Sequence, residues 1–250
     1  MSHIARLYVD AALQEGVEIG LPEAQSKYLL RVMRLADGAR VRVFNGEDGE
    51  WACVLAVRGK SAVLLPTDQI RDQEFGPDLT LLFAPIKKAR TDFIVEKATE
   101  LGVRGIRPVI TEYTQTQRVR TDRMQSLAIE AAEQTERMDL PEIFESEPLA
   151  NALSAWDPDR PLIYCDEGAE AAPISQYREQ LEGRAAGILI GPEGGFSPRE
   201  RKMLRGLAFV LPITLGPRIL RAETAVVSAL TVWQSQVGDW QKAPYLPQTQ

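Results

Sequence analysis

The sequence predicts two domains: a small β-barrel with one helix over about the first 65 residues and, from Leu79 onward, an α/β domain with a parallel sheet. Three observations predict this. Arg40–Phe44 alternates polar and apolar side chains, and after the turn cluster Asn45–Gly49 the chain resumes over Glu50–Val57 with Trp51, Val54, Leu55 and Val57, which together read as a hairpin. Pro66–Asp78, which holds Pro66, Gly76 and Pro77, reads as a polar linker. From Leu79 onward short apolar runs alternate with helical stretches, which implies parallel strands with helices on both faces.

The elements follow in order. Glu23–Leu35 reads as a short helix closed by Gly38. Leu79–Ala84 is an apolar run suited to a buried strand, and Thr91–Leu101 is a helix with Ile94, Ala98 and Leu101 on one face, stopped by Gly102. Ile106–Ile110 is a strand, and Asp122–Met138 a helix that ends before Pro141. Pro161–Cys165 is a strand, followed by a helix near residues 174–182. Gly187–Ile190 is a strand, Pro198–Gly206 a helix, Phe209–Leu215 a strand and Ala222–Val237 a helix.

Composition narrows the class. Hydrophobic content of 44% and charged content of 26% are those of a globular protein. No stretch approaches the ~18 apolar residues that span a bilayer, and the N-terminus has no apolar signal core, so a cytoplasmic protein without membrane contact is expected. Cys53 and Cys165 lie far apart, and with a single His the chain has too few ligands for a structural zinc site, so no metal is expected. The net charge of −6 looks unsuited to a nucleic-acid partner, but the charge is segregated. Residues 27–42 hold five basic side chains against Asp37 alone, and residues 86–123 hold nine basic against five acidic. Residues 124–183 hold three basic and fourteen acidic side chains. Two basic patches are thus left to meet phosphates.

The strongest chemical signal runs from Gly187 to Glu200, GILIGPEGGFSPRE. A buried strand enters a glycine-rich loop and then a helix with Ser197 as N-cap, Pro198 at the first position and Glu200 completing a capping box. Gly191, Gly194 and Gly195 let the backbone approach a ligand where a Cβ would intervene. The loop is neither GxGxxG nor a Walker sequence, so dinucleotide and nucleoside-triphosphate readings lose their main support. The second signal is Leu215–Ala225, LGPRILRAETA, again where a strand hands over to a helix. Arg218, Arg221 and Glu223 crowd a Gly-Pro turn there, and downstream Ala222, Ala225, Val226, Ala229, Leu230 and Trp233 form one apolar stripe.

Together these two motifs resemble the paired signatures of the RsmE family, the ribosomal RNA uracil-N3 methyltransferases of the SPOUT superfamily. Glu96–Val103, Glu133-Gln134 with Arg137 and Pro141, Arg31–Leu35 and Asn45-Gly46 resemble further family segments, so the resemblance covers nearly the whole chain. One departure is Lys27-Tyr28, where members often carry a histidine; the tail after Trp240 matches nothing and is expected to fray.

The resemblance implies a PUA-like RNA-binding barrel over residues 1–70 and a SPOUT domain with a C-terminal trefoil knot over residues 76–242. It implies S-adenosylmethionine as cofactor and S-adenosyl-L-homocysteine as product. Leu189, Ile190, Gly191, Pro192, Glu193, Gly194, Leu215, Gly216, Ile219, Leu220 and Thr224 are then expected to hold the cofactor. The expected partners are 16S ribosomal RNA, free or in an assembled 30S subunit, and a second copy in a homodimer whose interface includes the stripe on the last helix. The only histidine, His3, belongs to the first domain, so Arg221 assisted by Arg218 is expected to stabilise charge on the uracil. Arg31, Arg34, Lys87, Lys88 and Arg90 are expected to meet phosphates. Three rivals remain: an assembly factor without catalysis, a nucleotide-dependent α/β transferase or reductase, and a SPOUT enzyme acting on transfer RNA or a ribose oxygen.

Overall fold

The computed structural model describes residues 4–116, 118–166, 171–243 and 245. They form two compact units: the first takes residues 4–75, 132–140 and 245, the second takes 76–131 and 141–243 as described.

The first unit is a five-stranded sheet built from β1 (Ala5–Tyr8), β2 (Ile19–Gly20), β3 (Arg40–Phe44), β4 (Glu50–Arg58) and β5 (Ser61–Arg71), in the order β1-β3-β4-β5-β2. β1 runs parallel to β3 and the other pairs are antiparallel. Leu7, Val41, Val43, Leu55 and Leu64 turn inward and meet Leu29 from the helical segment. The predicted helix over Glu23–Leu35 is shorter and less regular. α1 (Glu23–Lys27) passes into a π-helical turn at Tyr28–Val32, and Arg34 at φ 55° cannot continue a right-handed helix. The linker expected from Pro66 is also corrected, because β5 continues to Arg71. Pro66 faces Cys53 beside a register shift, a place where the ladder tolerates a residue without an amide hydrogen.

Residues 132–140, assigned to the second domain from sequence, group with this sheet through a buried ionic cluster. Arg6 pairs with the fully buried Glu50 at 2.5 Å and donates to the carbonyls of Ala132 and Arg137 at 2.6 and 2.8 Å. Arg42 donates to both oxygens of Glu136 at 2.8 and 2.5 Å, and Arg71 donates to the Glu136 carbonyl at 3.0 Å. Glu136 takes φ 60°, so helix α3 (Thr121–Gln134) stops short of the predicted Met138. Tyr245, in the tail expected to fray, lies over the Arg71 guanidinium at 3.8 Å; residues 244 and 246–250 of that tail fall outside the described residues.

The second unit is an entirely parallel sheet. Its strands are β6 (Leu79–Phe83), β7 (Gly105–Ile110), β8 (Glu142–Ile143), β9 (Glu147–Pro148), β10 (Leu162–Cys165), β11 (Ala186–Ile190) and β12 (Val210–Ile213). The order is β12-β10-β11-β6-β7-β8, with β9 also on β7. The helices are α2 (Lys88–Glu100), most of α3, α4 (Leu149–Ser154), α5 (Arg178–Leu181, entered through a 3-10 turn at Ile174–Tyr177), α6 (Pro198–Arg205) and α7 (Ala222–Gln236). Alternation along the strands sorts the core into two layers. Leu81, Phe83, Ile163, Ile188 and Ile190 pack with α2, α3, α5 and α7; Leu82, Leu162, Tyr164 and Leu189 pack with α4 and α6. The apolar stripe of α7 belongs to the first layer: Val226, Ala229, Leu230 and Trp233 are all 0–1% exposed. It is not available as a subunit interface, because α2 and β11 of the same chain already cover it.

Candidate active site

β10, β11 and β12 are neighbours in the sheet, so their carboxyl ends open side by side. Ligands of open α/β sheets bind at such ends. Here the three exits enclose a cavity of about 330 Å³, within the range of a nucleoside-sized ligand. The β11 exit turns at Pro192, whose carbonyl accepts from the Gly195 amide at 2.8 Å, with Gly195 at φ 68°. Phe196 then tucks beneath the loop, edge-on to Tyr164 at 5.2 Å. α6 starts with the predicted capping box: Ser197 Oγ accepts from the Glu200 amide at 3.1 Å, and Glu200 Oε2 accepts from the Ser197 amide at 2.9 Å. The β12 exit turns at Gly216, φ 100°, whose amide donates to Thr214 Oγ1 at 3.1 Å.

Ile190, Gly191, Pro192, Glu193, Leu215, Gly216, Ile219 and Leu220 line this cavity, as does Arg218. Leu189 does not: it is fully buried in the α4/α6 layer, since successive residues of a strand face opposite sides. Gly194 lies on the outer side of its loop against Tyr113, and Thr224 is exposed on the first turn of α7. Arg221 is the N-cap of α7, exposed and outside the lining, between Leu220 and Ala222 which belong to it. Arg31, Arg34, Lys87 and Lys88 are all exposed. Arg90 is engaged within the domain: its guanidinium pairs closely with Glu193 and lies 3.6 Å from Glu223, so it links the glycine loop to the first turn of α7. Glu223 leaves its second oxygen buried without a hydrogen bond.

The cavity also takes Tyr164, Cys165 and Asp166 from the β10 exit and Arg201 from α6, which the motifs did not indicate. Only the strand order, which places β10 between β11 and β12, brings the first three in, while Arg201 follows from the start of α6. Asp166 is buried, and both Nε and Nη2 of Arg205 donate to its Oδ2, at 2.9 and 2.6 Å. Burial, reinforced by the Asp166 charge, pushes the Tyr164 phenol well above its ordinary range. Burial pushes the Cys165 thiol up to about 12. Neither group supplies a base near neutral pH.

Comparison with known proteins agrees with this architecture. A family model for an RNA methyltransferase domain matches residues 73–234, and one for an RNA methyltransferase PUA domain matches residues 21–65. The ribosomal RNA small subunit methyltransferase E of Rickettsia conorii is 32% identical over 90% of this chain and 93% of its own. A Legionella pneumophila methyltransferase, solved with bound SAM, superposes with a TM-score of 0.85 at 28% identity, covering 95% of this chain and 100% of that one. The Neisseria gonorrhoeae ribosomal RNA small subunit methyltransferase E, solved with S-adenosyl methionine, gives 0.84 at 28% identity over the same shares. A parallel sheet with ligand-sized strand exits, preceded by a PUA domain and matched along nearly its whole length, places this chain in the RsmE family of RNA methyltransferases.

Proposed function

We propose that this chain transfers the methyl group of S-adenosylmethionine to N3 of a uridine in 16S ribosomal RNA, free or within the assembled 30S subunit, releasing S-adenosyl-L-homocysteine. The observation that carries this reading is the single cavity shared by the 191–195 and 214–220 turns. Its residues suit that cofactor. Leu215, Ile219, Leu220 and Ala225 offer apolar surface to a purine, and Gly191 and Gly216 leave backbone polar groups open to it. When bound, the cofactor supplies an electrophilic methyl group.

The protein's own residues do the remainder. Uracil N3 carries a proton and becomes nucleophilic as that proton passes to solvent water, building negative charge onto the ring oxygens. Arg218, exposed at the cavity wall, stabilises that charge, and Arg221 assists from the start of α7. Arg90 holds the glycine loop to the start of α7 through Glu193 and Glu223. The exposed Arg31, Arg34, Lys87 and Lys88 meet phosphates. A C-terminal trefoil knot, a homodimer and a cytoplasmic location complete the reading. Two measurements test it. Calorimetric titration with S-adenosylmethionine is expected to show saturable binding. Mass-spectrometric mapping of 16S RNA from cells lacking the protein is expected to show one uridine without its N3-methyl mark; an unchanged RNA overturns the assignment.

A further inference from the structure

The carboxyl ends of the sheet carry a second feature beside the cavity. β11, β6 and β7 are consecutive in the sheet, and the loops leaving them bring Lys87, Tyr113, Thr116 and Gly194 around a shallow hollow of about 30 Å³. Pro192 and Glu193 line both the hollow and the larger cavity, so one loop is the wall between them. The hollow is too small to enclose a nucleobase. What it offers is a ring: Tyr113 is 47% exposed.

The turn is tied at several points. The Thr111 amide donates to Thr114 Oγ1 at 2.9 Å, the two threonine hydroxyls bond at 2.8 Å, and the Thr114 amide returns to the Thr111 carbonyl at 3.1 Å. The buried carboxylate of Glu200 then joins this turn to the glycine loop. Its Oε1 accepts from the Glu112 amide at 2.9 Å while its Oε2 accepts from the Ser197 amide at 2.9 Å. Tyr113 is thereby held against Gly194, with its Cβ 3.5 Å from where a Cβ on that glycine would sit. An exposed ring carried on a backbone held this firmly contributes little to the core; its placement makes sense for a flat partner arriving from solvent. Lys87, also exposed, makes no ion pair among the described residues and can take a phosphate of that partner.

We infer that Tyr113 is a stacking platform for an unpaired nucleobase of the RNA strand presented to the cavity, with Lys87 on the adjoining phosphate. The inference rests on the proposed RNA methylation and adds the residue that receives the strand. Single-stranded RNA is commonly read by stacking on an aromatic face, which tolerates any base because every base has one.

The test uses the full chain and its Tyr113→Phe and Tyr113→Leu variants, with 16S RNA from cells lacking the protein. RNA affinity is measured by filter binding, methyl transfer from labelled S-adenosylmethionine by steady-state kinetics, and cofactor affinity by calorimetry. Tyr113→Phe is expected to match the parent. Tyr113→Leu is expected to bind RNA roughly 5- to 150-fold more weakly, the cost of one base–aromatic stack, and to raise KM for RNA while cofactor affinity and Tm stay put. Equal RNA affinity in the leucine variant and the parent overturns the platform. So does a leucine variant whose only change is its oligomeric state in sedimentation, which would make the ring a contact between copies. If the parent transfers no methyl group, the proposed reaction fails, and the binding comparison still decides the role of Tyr113.

Discussion

Adding one methyl group separates the core from the site at two glycines only four positions apart. A Cβ on Gly187 would come within 2.6 Å of the Trp156 ring, and a Cβ on Gly191 within 2.7 Å of the Phe196 ring. Overpacking of this kind typically costs about 1–3 kcal/mol. Gly187→Ala is therefore expected to lower the denaturant midpoint with cofactor affinity preserved, because neither Gly187 nor Trp156 lines the cavity. Gly191→Ala is expected to weaken S-adenosylmethionine binding in calorimetry as well, because Gly191 itself lines the cavity. Equal cofactor affinity in the two variants would contradict the assignment of that loop. Arg218→Ala tests chemistry and not shape: kcat is expected to fall by roughly 10²-fold, as when one charge-stabilising donor is removed, with cofactor affinity almost unchanged. Unaltered turnover would remove Arg218 from that role.

Among the elements, the ionic cluster that ties residues 132–140 to the five-stranded sheet gives a pH signature. Burial tends to raise the Glu136 pKa, but its bonds to Arg42 and the nearby charges of Arg6 and Arg71 outweigh that and hold it below the usual range. A carboxylate depressed in the folded state contributes stability that is fully present above its unfolded pKa and lost as the pH falls through its folded value. Stability of the first unit is thus expected to decline below about pH 4.5, near the unbound glutamate value. Glu136→Ala is expected to cost up to roughly 3–5 kcal/mol at neutral pH, since three largely buried guanidinium groups then share the single carboxylate of Glu50. Its denaturation curves should also lose part of the acid dependence. This cluster marks where the sequence stops being readable. The hairpin, the alternating β and α segments and the α6 capping box follow from local periodicity and cap chemistry, so they are legible residue by residue. The glycine and arginine turns are legible as motifs. Glu136 is not, because its partners at positions 6, 42 and 71 are distant in sequence and its left-handed φ has no glycine to announce it. The two-residue strands β8 and β9 and the six-residue α4 are too short to set up a period. Tyr164, Cys165 and Asp166 needed the strand order, which periodicity does not encode.

For the whole molecule, charge segregation matters more than net charge. The chain carries −6 in total, yet residues 27–42 and 86–123 each hold an excess of four positive charges. RNA binding is expected to weaken steeply with salt, and Arg31→Ala, Arg34→Ala, Lys87→Ala or Lys88→Ala should each lower the slope of log K against log salt by about one. Arg90→Ala is expected to act differently, loosening cofactor binding through the freed Glu193 and Glu223, with little change in that slope. A slope that falls as far for Arg90→Ala as for Lys88→Ala would return Arg90 to the phosphate contacts.

The dependence of the N-terminal sheet on a stretch that arrives some sixty residues after its last strand limits how this protein can be cut or recombined. A fragment ending at residue 75 keeps Arg6, Arg42 and Arg71 but only Glu50 to neutralise them. Such a piece should be soluble only as an unfolded chain, whatever its domain boundary suggests on paper. Swapping N-terminal domains between relatives would accordingly require transplanting the 132–140 segment along with the sheet it completes.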